Sequence, residues 1–311
     1  MKKRSRNILL AGVCAGGAAL TQAHPAFALE HFSPFQVGVT AGFPTGALPP
    51  PGLYFSNDIY FMEGNVVTGQ GKNTGVKIQG AETSPMLMWV PNIKILGARY
   101  SVGIMQPFAL NNTDENNVGG ASVISAGLFN MVLFPEKLSW DLGRANFVSE
   151  GLAVYLPTGD YHHTGTTTNA DSYANNFTTF EPSLAYSYLG HGWDVTLNNV
   201  FDFNTKNKAT DYHSGSTYYL DWTVAHSFGK LTLGAIGNYT QQFTDDTQFG
   251  KAVENVGGDG YGNRYMHVGV GVAVEYQVGS VLWSVRYIDG VAGANGGNPS
   301  FVHFGVSFPL S

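Results

Sequence analysis

Two stretches decide the fold: FEPSLAYSYLGHGWDVTLNNVFDFNTKN (Phe180–Asn207) and STYYLDWTVAHSFGKLTLGAIGNYTQQF (Ser216–Phe243). Every second residue tells the same story. Phe180, Pro182, Leu184, Tyr186 and Tyr188 form an apolar row, interleaved with Glu181, Ser183, Ala185 and Ser187. Trp193, Val195, Leu197, Phe201 and Phe203 alternate with Asp194, Thr196, Asn198 and Asp202. Tyr218, Leu220, Trp222 and Val224 alternate with Tyr219, Asp221, Thr223 and Ala225. Leu231, Leu233, Ala235 and Tyr239 alternate with Thr232, Gly234, Asn238 and Thr240. Successive side chains of a strand point to opposite faces, so each segment carries one apolar and one polar or small face.

Length separates this pattern from a soluble sandwich. Each segment runs about ten residues, close to the roughly 9–11 that a tilted strand needs to cross a bilayer, whereas soluble strands centre on about 5–6. The apolar rows carry Tyr, Trp or Phe near their ends, where an aromatic girdle meets lipid headgroups. The reading is an all-β chain: a transmembrane antiparallel barrel with lipid outside and a polar lumen.

Composition agrees. Only 12% of the 311 residues are charged, against roughly 25% in an average soluble protein. Mean hydropathy is −0.05, as expected when half of each strand faces water. The N-terminus reads as a secretory signal peptide over residues 1–28: Lys2, Lys3, Arg4 and Arg6, the apolar run Ile8–Leu20, then Ala26-Phe27-Ala28 before the cut. Its removal takes away four basic and no acidic residues, moving the net charge from −6 to −10. Such a balance argues against a nucleic-acid partner. The single cysteine, Cys14, leaves with the signal, which excludes thiol and disulfide chemistry in the mature chain. The expected location is the outer membrane, and the expected partners are its lipid, the barrel assembly machinery and a small-molecule solute.

Along the chain, residues 29–52 are rich in Pro and Gly, with Pro49-Pro50-Pro51, and consecutive prolines cannot join a ladder. This lead-in is a stiff linker, lies at the barrel mouth, or folds inside as a plug. Residues 53–311 form the barrel. The pattern predicts about twelve strands, near 53–63, 83–91, 98–109, 121–133, 146–156, 180–189, 193–203, 216–227, 231–243, 264–277, 281–288 and 301–310. Long polar connections such as Thr158–Thr179, Asn204–Gly215, Thr244–Asn263 and Asp289–Ser300 alternate with short ones such as Gly190–Gly192 and Val278–Ser280; Pro135–Ala145 is a longer exception. An even strand number with short periplasmic turns and long external loops is the layout of bacterial barrels.

Several motifs carry a family resemblance. They are Gly46-Ala47-Leu48-Pro49-Pro50-Pro51-Gly52-Leu53-Tyr54-Phe55, Val154-Tyr155-Leu156-Pro157-Thr158-Gly159-Asp160-Tyr161, Phe180-Glu181-Pro182, Phe201-Asp202-Phe203-Asn204-Thr205-Lys206-Asn207-Lys208, Thr210-Asp211-Tyr212, Thr244-Asp245-Asp246 and Gly262-Asn263-Arg264. With them the chain resembles the outer-membrane family named for the meta-cleavage pathway of phenol degradation, whose members are described as transporters. The resemblance implies a barrel linked to aromatic catabolism. It supplies no binding residues.

Transport chemistry would sit on the inward row. The alternation places Glu150, Glu181, Asp194, Asn198, Asp202, Tyr219, Asp221, His267, Glu275 and Arg286 there. In an open lumen they set charge preference and touch solute; in a filled one the inward carboxylates pair with Arg286, Arg264 or Arg99. Small barrels are filled and large ones conduct, and twelve strands fall between. His162-His163 with Asp160 and Asp171, and Asp259 with Asp245 and Asp246, read as solvated loop residues rather than metal sites, which need three or four convergent ligands. Tyr212-His213-Ser214-Gly215 superficially resembles an outer-membrane lipase site, but adjacent strand residues point apart. No cofactor or catalysis is called for. The sequence points to a channel for small hydrophobic or aromatic compounds, with a structural barrel or a lipase-like barrel of filled lumen as the alternative.

Overall fold

A computed structural model describes residues 34–114, 122–169, 171–254 and 256–310. The predicted signal peptide and residues 29–33 lie outside these. Twelve staves close an antiparallel barrel. They are β1 (Gly52–Val67), β2 (Asn73–Thr83 continued by Met86–Val90), β3 (Ala98–Met105 and Phe108–Asp114) and β4 (Ser122–Leu128 and Val132–Gly143). Then come β5 (Asn146–Tyr155), β6 (Thr179–Tyr188), β7 (Trp193–Asn204), β8 (Thr217–Phe228), β9 (Leu231–Gln242), β10 (Met266–Val278), β11 (Val281–Ala294) and β12 (Gly296–Pro309). Each stave pairs with its chain neighbour, and β12 returns to β1 in register from Tyr54↔Pro309 to Val67↔Gly296. Closure removes the sheet edge that lipid does not tolerate.

The apolar rows face outward. Phe61, Trp89, Leu184, Leu197, Phe203, Leu233, Val272, Trp283 and Phe304 are all exposed in the isolated chain. At the short-turn end the hairpins are tight. Leu96-Gly97 and His191-Gly192 have positive φ at both residues, as a two-residue hairpin matched to strand twist requires.

Three predicted boundaries shift. The second strand starts at Asn73 rather than near 83. In its first half Val76 is buried inside and Lys77 and Gln79 are exposed outside, so the apolar-out signature is inverted there. Asp289–Ser300 is not a long loop. β11 and β12 run on to a turn at Asn295; the Gly-rich sequence has no alternation to reveal them. Pro135 does not end β4. It sits in a bulge where the register slips between Leu133 and Glu136, the place where a ladder accommodates a missing N–H.

A line of bends crosses β2, β3 and β4 at Ser84-Pro85, Gln106-Pro107 and Phe129–Met131. One backbone bond carries the ladder across the bends at each of the four seams from β1 to β5: Ser84 N to Asp58 O (2.9 Å), Gln106 N to Pro85 O (3.2 Å), Phe129 N to Pro107 O (3.1 Å) and Leu156 N to Met131 O (2.9 Å). The Gln106 amide adds bonds to the Pro107 and Phe129 carbonyls at 3.0 and 2.9 Å. Beside it an apolar groove of about 260 Å³ is lined by Phe55, Pro85, Met86, Leu87 and Ile104. Gln106→Leu takes that donor from both carbonyls; Pro107 O keeps the Phe129 N–H, so the loss falls on Phe129 O, and an unsatisfied buried carbonyl costs about 1–3 kcal/mol. The urea midpoint of the refolded barrel should fall accordingly, and an unchanged midpoint would show that water replaces the amide.

Candidate functional site

Residues 34–51 have no regular strand or helix; successive tight turns carry them through the interior. Bonds such as Val39 N to Gln36 O and Ala41 N to Gly38 O, each 3.1 Å, shape them. Their remaining polar groups meet inward side chains of the wall. The Thr40 N–H and hydroxyl both donate to Asp221 Oδ2 (2.9 and 2.6 Å), and Asn198 donates to the Thr40 hydroxyl (2.9 Å). Gly42 N reaches Thr223 Oγ1 (2.7 Å), and Gly46 N reaches Ser187 Oγ (2.9 Å). Ser149 and Ser139 donate to the Thr45 and Gly46 carbonyls (2.9 and 2.8 Å). Arg99 donates to Leu48 O and Pro49 O at 2.7 and 2.8 Å. This satisfies an irregular backbone inside a barrel, where unpaired polar groups are costly.

Arg286 is the centre of this contact. Its side chain is wholly buried and its Nη2 lies 2.7 Å from Asp58 Oδ2. Its Nη1 donates to Val39 O and Ala41 O at 2.8 and 2.7 Å. The guanidinium carbon stacks 4.4 Å from the Phe43 ring centroid. His303 Nδ1 shares Asp58 Oδ2 at 2.7 Å. A planar guanidinium suits such a site because it donates in several directions from a fixed fork.

The other predicted inward residues fall into three groups. Glu181 meets the Asp202 carboxyl and the Tyr155 hydroxyl, and the Tyr219 hydroxyl donates to Asp202 Oδ2 at 2.9 Å. Phe35 packs its ring 4.9 Å from that of Tyr219. His267 contacts Asn238 Nδ2 and Pro299 O at 2.9 and 3.2 Å. Asp194, beside Thr196, lies near Glu275 toward the short-turn end. Glu150 is a correction. Ser149 reaches the inner segment, so its neighbour Glu150 points to the outer face, opposite the exposed Leu184. Reading β5 one residue out of phase flips every side chain.

Sequence reasoning missed Asp58, Glu82, Lys137 and His303; Arg99 was expected to pair with inward carboxylates and instead meets the Leu48 and Pro49 carbonyls. Asp58 was readable, since Asp58, Tyr60 and Met62 alternate with Ile59 and Phe61. Lys137 was masked by Pro135, which breaks the frame of β4.

At the opposite end the loops interlock. The Tyr60 and Tyr173 hydroxyls donate to Glu82 Oε2 at 2.8 and 3.3 Å. Asn207 bonds Tyr161 and Asn176, and Gln248 donates to Thr166 O and Thr210 O. His162 pairs with Asp171 at 3.4 Å with both exposed, while His163 contacts Gly165 O. No group of three or more metal-ligating side chains gathers among the described residues. His213 bonds Asn204 O, and the adjacent Ser214 hydroxyl is buried without a partner, so the two form no catalytic pair.

A closed twelve-stave barrel with an apolar exterior and a polar, hydrogen-bonded interior defines an outer-membrane β-barrel. The chain belongs to the family described as "Putative MetA-pathway of phenol degradation", whose model matches residues 56–297. The fold is also that of solved outer-membrane barrels. The COG4313 outer membrane channel from Pseudomonas putida F1 is 14% identical, covers 86% of this chain and 98% of its own, and superposes with a TM-score of 0.73. The translocator domain of the autotransporter NalP from Neisseria meningitidis is 13% identical over 84% of this chain and 90% of its own, with a TM-score of 0.50. A comparison with curated proteins finds no sequence relative.

Proposed function

We propose that this chain is an outer-membrane channel for small hydrophobic or aromatic compounds, and that residues 34–51 are its plug. The observation that carries this reading is the way the lumen is filled. Side chains of the wall fill the interior of a purely structural small barrel. Here polar wall residues from β3 round to β8, together with Arg286 of β11, are occupied by a separate segment tethered to the wall by its C-terminal end. A filling held by hydrogen bonds can be withdrawn, leaving a polar passage. The family's link to phenol degradation and the channel nature of the Pseudomonas putida barrel support the solute class and the transport role.

Liposome swelling tests the plug. Barrels lacking residues 34–48 should admit small neutral sugars at least about tenfold faster than the intact chain, an effective change of about 1.4 kcal/mol or more in barrier height. Equal, slow entry through both correctly folded forms would mean a filled lumen and a structural role. Uptake of labelled phenol by whole cells with and without the chain tests the solute class.

A further inference from the structure

We propose that Lys137 forms an anion subsite in the lumen, taking the carboxylate of a small aromatic acid; this rests on the channel reading and names a solute class for it. The direction of Lys137 follows from its neighbours. Ser139, two residues on, donates to Gly46 O inside the barrel. Across the ladder Lys137 pairs with Ser101 and Gly151. A Cβ built on Gly151 would lie 3.4 Å from Lys137 Cγ and 3.3 Å from Ser183 Oγ. Gly151 shares the inward face with Ser149. Lys137, Ser183 and the bare face of Gly151 therefore line one strip of the interior.

Among the described residues the Lys137 ammonium has no ion-pair partner. Each interior arginine is taken: Arg286 by Asp58, Val39 O and Ala41 O, and Arg99 by Leu48 O and Pro49 O. Several interior carboxylates are engaged elsewhere: Asp58 with Arg286, Asp221 with Thr40, Glu181 with Asp202, and Glu82 with Tyr60 and Tyr173. An isolated interior cation is costly unless paired, so the site favours an anion. Next along the same faces stand Ala153, Tyr155, Val132, Phe134 and Met105, an apolar cluster continued by Phe129. A ring against that cluster and a carboxylate on Lys137 suit one amphipathic solute. The missing side chain of Gly151 lets the stem of Lys137 and the Ser183 hydroxyl lie close against the wall.

Calorimetric titration of the refolded, intact barrel with benzoate tests this, with benzyl alcohol as the uncharged probe and heat-modifiable gel migration as the check of folding. Benzoate should bind the natural protein. Lys137→Met should weaken benzoate at least about tenfold, the effect of losing one charge-assisted hydrogen bond. It should leave benzyl alcohol unchanged. Lys137→Arg should keep benzoate binding and guards against a Met variant that fails to fold. No benzoate binding to the natural protein, or equal affinity in the Lys137→Met variant, overturns the subsite. Swelling assays separate the two readings: solute entry with Lys137-independent benzoate binding sinks the subsite alone. Lysine-dependent binding without entry in any form sinks the channel alone.

Discussion

Arg286→Met is expected to lower the stability of the refolded barrel by about 3 kcal/mol and, in the same variant, to speed solute entry. The first effect comes from Asp58. Its carboxylate is only 14% exposed and sits 2.7 Å from the guanidinium. Removing one member of a buried pair leaves an uncompensated charge and typically costs about 3–5 kcal/mol. His303 remains 2.7 Å from the same oxygen, which places the expectation at the low end. The second effect comes from the inner segment. Val39 O and Ala41 O lose their donor and Phe43 loses its cation. Urea unfolding followed by tryptophan fluorescence checks the stability; liposome swelling checks the release. The double variant Asp58→Leu with Arg286→Met should recover much of the stability, because deleting both charges removes the stranded one. It should not recover the plug, since the carbonyls still lack a donor. A midpoint unmoved by Arg286→Met would mean that His303 alone neutralises Asp58.

The barrel was legible because its signal is physical and repeated. From β6 to β10 the outward rows meet lipid, and alternation is enforced residue by residue. Legibility failed where that enforcement stops. Val76 and Ile78 turn inward while Lys77 and Gln79 face water, so the first half of β2 resembles a loop. Pro135 breaks the frame of β4 and hides Lys137, although the strand continues through a bulge. Glu150 was misassigned for a related reason. Val148, Leu152 and Val154 share its outward face, and a one-residue slip of phase in β5 exchanges that row with the inward one. The interior posed a different difficulty. Nine of the ten expected inward residues lie on the lumen side, and their partners, Thr40, Gly42 and the carbonyls of Val39 and Ala41, belong to a segment far away in sequence. Alternation says which way a side chain points and nothing about what meets it there.

Gly46→Val should open the lumen without removing any group from the wall. A Cβ on Gly46 would lie 2.5 Å from Ser187 N and 2.9 Å from Tyr186 C. Those atoms are backbone of β6, fixed in its ladders to β5 and β7, so the inner segment must yield. Lifting residue 46 breaks the bonds of Gly46 to Ser187 and Ser139 and strains the neighbouring bond from Ser149 to Thr45 O. Entry of small neutral sugars should rise about tenfold or more. The urea midpoint should fall less than in Arg286→Met, because water entering the lumen can solvate the released serines. Combining the two variants decides how the segment moves. If residues 34–51 leave as one unit, either lesion suffices and the double variant is no faster than the faster single one, a strongly non-additive cycle. Multiplying rate gains would mean that the Arg286 end and the Gly46 end let go independently, and the passage would then open in two stages, each with its own latch.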